Sequence, residues 1–513
     1  MWPLYLIVGI LATFWLAWRY KHRRMIGMAR KVPGPPTVPL IGNAHQFVCQ
    51  PEEMIIVFKN LMEQYGDVVT FWLGPDLNFI ISNPNDLKIL LSTSKTSTKG
   101  PQYKYMADVL GGGILSGSGP EWRKHRKMAT PNYGKRAIES YTDVFNKEVD
   151  LLMERLRKVS DQQIDVYFMI VQATSRTVCQ TLMGLTKEQA YNLPYLNEVI
   201  QETPRNYDIV FDRMTKWYLQ IDPVFWISKY WREQKLFKKM FGELSEQIIK
   251  HRLEKLKTLE DSNKKKLMNS ALDSMANTEL SVIDRFILSN EFLSKEDLIK
   301  ETFTIFTSSQ EASAKISSFI VLMMAYHPKC QAKLYTEIKS VIGDEDRSVS
   351  DEDFKQMPYL DMVFKEVLRL FPIGVMLQRT VTEDINIISK QKLAIFFSGN
   401  YTLPAGCSFV APIFHLHRDP RFWDKPDAFD PDRFTPENIK KRNPNCYLPF
   451  SLGPMDCLGR YFAKKLVKTV AVRILREFEV TSPETYDDFK VIMAISAVSV
   501  NGYPVYLHPR KIK

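Results

Sequence analysis

Residues Pro449–Phe462 read PFSLGPMDCLGRYF, and the meaning of this stretch decides the fold. One cysteine, Cys457, stands between Gly453 and Gly459. Phe450 precedes it, and the apolar run LVKTVAVRIL (Leu466 to Leu475) behind it reads as a helix. Gly453 permits a tight turn at positive φ, and Gly459 removes a side chain where a flat ligand would approach closely. A helix starting beside the cysteine offers backbone N–H groups and a positive dipole end, and both favour a thiolate. Phe450 would shield the sulfur from solvent. A lone cysteine in apolar surroundings is more often inert packing than a ligand, so these neighbours carry the argument. No cation precedes the cysteine in this stretch, because Met455 stands two residues before it.

The rest of the chain sets the frame. With 513 residues and 45% hydrophobic content, it can bury a large core. No Gly/Ser-rich or acidic linker divides it after residue 45, so one large domain is expected. The pattern is mainly α with small β-sheets, the strand-like segments being VVTFWL (Val68–Leu73), NFIISN (Asn78–Asn83) and YPVYL (Tyr503–Leu507). The charged stretch EKLKTLEDSNKKK (Glu254 to Lys266) reads as a solvated loop between helices. Six scattered cysteines without CxxC spacing point to a reducing compartment and away from structural zinc. A net charge of +11 suits an anionic membrane or an acidic partner protein. The basic residues are spread without a nucleic-acid motif, so no nucleic-acid partner is expected.

Trp2 to Trp18, WPLYLIVGILATFWLAW, carries no charge and would span ~25 Å as a helix. Arg19, Lys21, Arg23, Arg24, Arg30 and Lys31 follow, and no acidic residue appears before Glu52. Charge after the apolar run, with no small-residue cleavage site, predicts an uncleaved anchor over residues 1–20 whose basic end stays cytosolic. The basic, proline-rich segment 21–45 reads as a stiff linker. Residues 46–513 then form the one large domain.

FSLGPMDCLG resembles the haem-binding signature of the cytochrome P-450 family, F-x-x-G-x-R-x-C-x-G, with every fixed position present except the arginine, which Met455 replaces. The look is closest to microsomal insect enzymes of the clan around family four. The resemblance implies a single haem-thiolate fold, with haem b held non-covalently and its iron bound by Cys457. In KEVLRLFP (Lys365–Pro372), Glu366 and Arg369 share one helix face, and the resemblance adds Arg433 of FDPDRF to them as a structural network. Trp122 and Arg126 of EWRKHRKM match the family's W-x-x-x-R, which binds haem propionate. Arg379 matches another propionate-binding position. Phe450, Gly453 and Gly459 complete the implied haem-binding set.

ETFTIFTSSQEASAKISSFIVLMMAYHP (Glu301–Pro328) is similar to the family's distal helix, whose pattern A/G-G-x-D/E-T aligns on Ser308, Ser309, Gln310, Glu311 and Ala312. The acid is present and the threonine is absent. Proton delivery to oxygen needs an acid and a hydroxyl, so Glu311 with Ser309 and Ser313 are the implied catalytic residues. Ser308 stands where many family-four enzymes carry the glutamate that esterifies the haem, which implies a non-covalent porphyrin. Lys464, Lys465 and Lys468 cluster on one helix face. That face reads either as solvated or, by resemblance, as a docking site for NADPH-cytochrome P-450 reductase.

Two functions stay open at this stage. One is a monooxygenase at the endoplasmic reticulum membrane, facing the cytosol, that inserts an oxygen atom from dioxygen into a lipophilic small molecule. The other is a haem-thiolate isomerase or lyase of peroxides, or a non-catalytic haem-binding protein. The pocket expected from Met106–Leu115, Pro204–Trp226 and Ile373–Leu377 is apolar with aromatics.

Overall fold

The computed structural model describes residues 2–258, 280–289, 293–343, 345, 347–388 and 400–510. From residue 259 on, the charged stretch ending at Lys266 lies outside the described residues. Its first part closes the helix Lys229–Lys257.

The architecture is mainly helical with small sheets. The helices that position the site are α1 (Trp2–Lys21), α2 (Gly119–Ala129), α3 (Val166–Thr181), α4 (Leu196–Thr215), α5 (Lys295–Tyr326), α6 (Pro358–Leu370) and α7 (Arg460–Glu477). Helix α5 is the axis of the domain. Ser294 caps it by accepting from the Asp297 N–H, and Glu296 and Asp297 complement the dipole in its first turn. Its 32 residues extend ~48 Å, and α3, α7, α6 and the helix Lys229–Lys257 pack around it. Phe303, Phe306, Phe319, Val321 and Leu322 are fully buried on α5, so packing rather than propensity holds so long a helix.

A five-stranded sheet flanks the helices, formed by β1 (Val68–Leu73), β2 (Asp76–Ile81), β3 (Thr98–Lys99), β4 (Leu377–Thr380) and β5 (Ser408–Ala411), in the order β1-β2-β5-β4-β3. The first two strands form the hairpin expected from VVTFWL and NFIISN, with Val68 paired to Ile81 and Leu73 to Asp76. Gly74, at φ +59°, supplies the left-handed turn residue. The YPVYL segment, from Pro504 on, lies in the strand Pro504–Pro509, which pairs with Phe478–Thr481 and Gln163–Asp165.

The apolar N-terminus is helical as α1, and Tyr5, Leu6, Ile10, Phe14 and Leu16 stand exposed along it. Among the described residues, no helix is long and apolar enough to cross a membrane.

Candidate active site

The cysteine loop owes its shape to the residues around it. Gly453 has φ +78°, and a Cβ there would lie 2.1 Å from the Leu91 carbonyl oxygen, so a side chain is barred twice over. The Cys457 N–H donates to the Phe450 carbonyl at 2.9 Å, closing the loop. Gly459, at φ −83°, is the N-cap of α7. Burial pushes the Cys457 thiol pKa up, while the Gly459 N–H and the cations of Arg126 and Lys99 act in the opposite direction.

The loop hangs from a buried ion network. Arg369 on α6 makes a bidentate pair with Glu366 at 2.7 and 2.8 Å, and Arg433 Nε lies 3.4 Å from Glu366. The expected Glu366, Arg369 and Arg433 therefore meet. Arg369 also donates to the carbonyls of His417, Pro426 and Ala428. His417 in turn accepts the Leu448 N–H at 2.8 Å, just ahead of Phe450. Burial, with Arg369 and Arg418 nearby, holds the His417 pKa down to about 3, so the neutral ring is the form that accepts.

Cys457 faces a cavity of about 440 Å³. Its side chain has accessible surface on that cavity, although the residue lies deep in the fold. Trp122, Arg126, Arg379, Phe450 and Gly459 border the same space, as do Ser309, Glu311 and Ser313 on α5. Gly453 does not; its part is the turn. Each pocket segment expected from the sequence contributes, through Met106 and Ile114, Tyr207 and Phe211, and Val375 and Met376. Lys99, Tyr133, Lys315 and Ser496 also line the cavity, and sequence reasoning missed all four. A lone lysine in STKG carries no periodic or motif signal, and the other three are brought in by tertiary folding.

The electrostatics test whether the site suits an anionic group. Lys99, Arg126 and Arg379 converge on the cavity. Arg126 donates to the Asp456 carbonyl at 2.5 Å and to its carboxylate at 2.6 Å, and Asp456 also pairs with Arg460. Among the described residues, Lys99 and Arg379 have no carboxylate partner. Burial, together with Arg379 and Arg126, pulls the Lys99 pKa well below the usual lysine value. Buried cations without counter-ions call for a ligand that brings negative charge. A haem with two propionates and a thiolate-bound iron meets that demand. The Trp122 indole N–H already donates to the Ile114 carbonyl at 3.2 Å.

A sequence model of cytochrome P-450 matches residues 32–501. The chain belongs to the cytochrome P-450 family. It is 30% identical to "Cytochrome P-450 4d1" of Drosophila simulans over 93% of this chain and 92% of the relative. It is 28% identical to "Cytochrome P-450 4g1" of Drosophila melanogaster over 98% and 94%, and 28% identical to "Cytochrome P-450 4V2" of Mus musculus over 88% and 84%. A cytochrome P-450 binds haem iron through a cysteine thiolate and is an oxidoreductase, so the chain is a haem-thiolate monooxygenase.

The distal helix of this cytochrome P-450 carries its polar groups unevenly. Ala312 borders the cavity without a hydroxyl. Ser313 Oγ donates to the Ser309 carbonyl at 2.7 Å, which ties that hydroxyl to the backbone. Ser309 Oγ lies 3.4 Å from the Tyr133 hydroxyl, and Ser308 is the exposed serine of the three.

One expectation fails on the opposite side of the cysteine. Lys465 and Lys468 are buried rather than displayed. Lys465 pairs with Asp351 at 2.7 Å, while Lys468 and Lys464 each lie 2.7 Å from Asp361. Lys465 and Lys468 therefore bind the fold together and are not part of a solvated face, while the Lys464 side chain stays 44% exposed.

Proposed function

We propose that this chain is a membrane-held monooxygenase that inserts one atom of dioxygen into a lipophilic small molecule, with NADPH-derived electrons delivered by a reductase. The single observation that carries the reading is the convergence of Cys457 with Lys99, Arg126 and Arg379 on one apolar cavity. When bound, haem iron held by a cysteine thiolate would supply dioxygen activation. Cys457 is the ligand in this reading. Phe450 and the closed loop keep solvent from the sulfur, and Gly459 contributes an N–H to it. Lys99, Arg126 and Arg379 hold the two propionates, with Lys99 supplying the cation that Met455 does not. The porphyrin is non-covalent, since Ser308 cannot form the ester that a glutamate would.

Glu311 is the acid that moves protons, and Ser309 is the hydroxyl that offers them to the cavity, because Ser313 is bonded to the backbone. The wall built from Phe47, Phe58, Phe71, Met106 and Phe211 excludes water and suits an apolar substrate.

The exposed apolar side chains of α1, followed by Arg19, Lys21, Arg23 and Arg24, support attachment to the endoplasmic reticulum with the domain in the cytosol. Trp226, Ile227 and Leu236 add exposed apolar surface elsewhere. For an acidic reductase, the cations on offer are the exposed Arg123 and Lys127 on α2 and Arg136 nearby.

Reducing the protein under carbon monoxide tests the haem-thiolate assignment, and NADPH consumption with reductase tests the reaction. We expect a red-shifted thiolate band that Cys457→Ser abolishes, and substrate-dependent NADPH oxidation. Rearrangement of a hydroperoxide without NADPH, with turnover unchanged in Glu311→Ala, would replace the monooxygenase by an isomerase.

A further inference from the structure

Glu311 has a buried counter-ion one helical turn along α5. Lys315 Nζ lies 2.7 Å from Glu311 Oε1, with both side chains under one-tenth exposed. The same ammonium donates to Ser496 Oγ at 2.7 Å. Ser496 sits in the turn between the paired strands Val491–Met493 and Ala497–Ser499, so Lys315 ties α5 to a separate wall of the cavity. From α4, the Tyr207 hydroxyl reaches Thr307 Oγ1 at 3.0 Å and the Glu311 carboxylate. Glu311 Oε1 receives no well-aligned hydrogen bond; the ammonium contact is what holds that oxygen. The other titratable groups facing the pair are Asp208 on α4, Tyr167 on α3 and Tyr503. None of these is a cation; Lys315 is the cation paired with Glu311, while Asp208 also feels Arg205 on α4.

A carboxylate in such a place keeps its charge only while its partner stays. We propose that Lys315 is the positioning residue of the distal acid, holding Glu311 ionised and turned along α5 towards Ser496, so that proton supply to the cavity does not vary across neutral pH. The proposal rests on the reading of Glu311 as the acid. It also accounts for an arrangement in which Ala312 offers no hydroxyl to orient the carboxylate, since the ammonium takes over that task. In Lys315→Met the buried carboxyl takes up a proton of its own, and can release it only as the pH rises.

Two measurements on the haem-loaded protein test this. The first is the infrared carbonyl stretch of a protonated carboxylic acid, compared between about pH 6 and about pH 8. The wild type should show no such band from Glu311, whereas Lys315→Met should show one that disappears when Glu311→Gln is added. The second is product formed per NADPH against pH. It should be flat in the wild type, should rise with rising pH in Lys315→Met, and should become flat again in Lys315→Arg. If Lys315→Met does not fold, Lys315→Gln, which keeps hydrogen bonding and drops the charge, carries both measurements. A charge-free variant whose infrared spectrum and pH profile superimpose on the wild type overturns the proposal, as does Lys315→Arg behaving like Lys315→Met. The infrared arm reports ionisation whether or not Glu311 moves protons. Failure of the acid reading itself would appear separately, as unchanged turnover in Glu311→Ala.

Discussion

Lys99 and Arg379 are direct cross-strand partners in the antiparallel pairing of β3 with β4, and both border the cavity that Cys457 faces. Like charges directly opposed in a ladder are destabilising, and here burial adds to that. The arrangement therefore makes sense when an anion sits between them. Lys99→Met should leave the haem-free protein as stable as the wild type or more so, and should make the loaded protein lose haem faster. Thermal unfolding of the haem-free form and haem transfer to a scavenging apoglobin measure the two effects. Faster unfolding of the haem-free variant together with unchanged haem loss would count against a propionate role.

The loop that carries Cys457 should be sensitive to acid through His417. Burial holds the folded-state pKa of His417 down to about 3, while an unfolded histidine titrates near ~6.5. The unfolded chain thus binds more protons over this window, so stability falls as the pH drops from ~6.5 towards 3. The His417 contact to Leu448 makes the thiolate band in the carbon monoxide spectrum the natural reporter. It should fade across this window in the wild type. In His417→Phe it should be weaker from the start, with a shallower pH dependence.

Removing one member of the buried network should be costly. Glu366 and Arg369 have no exposed side-chain surface, and truncating one partner of such a pair costs about 3–5 kcal/mol by leaving the other charge unpaired. Glu366→Ala is expected to unfold at markedly lower denaturant, or to accumulate without haem. Chemical denaturation followed by tryptophan fluorescence would show it.

Ala312→Thr should raise the ratio of product to NADPH by restoring a positioned hydroxyl beside Glu311, with less hydrogen peroxide released. Glu311→Ala should lower turnover by ~10² or more, in the range typical of a general acid. Peroxide assays alongside NADPH consumption separate the two effects. Unchanged peroxide release in Ala312→Thr would place the operative hydroxyl elsewhere, with Ser309 and its neighbour Tyr133 as the next site to vary.

Much was legible from local patterns. The Gly453 turn, the helix after Cys457, the hairpin of β1 and β2 and the shared face of Glu366 and Arg369 each depend on residues close in sequence, where backbone sterics and periodicity act directly. The long helix α5 could be placed in the same way, with Glu311 and Ala312 on the cavity. Local spacing misled at Lys465 and Lys468, because whether a helix face is wet depends on what packs against it. Here Asp351 and Asp361, more than a hundred residues earlier in the chain, turn that face inward.

The sequence by itself determined which residue could grip a metal, which helix crosses the cavity, and that a cation was absent at Met455. Only the tertiary structure decided which further cations reach the cavity and what pairs with Glu311. Lys99 reaches the site because a two-residue strand pairs with Arg379 some 280 positions later, and Lys315 becomes a clamp because a distant turn offers Ser496. Such groups meet through long-range packing, whose energy comes from burying surface that no local pattern records.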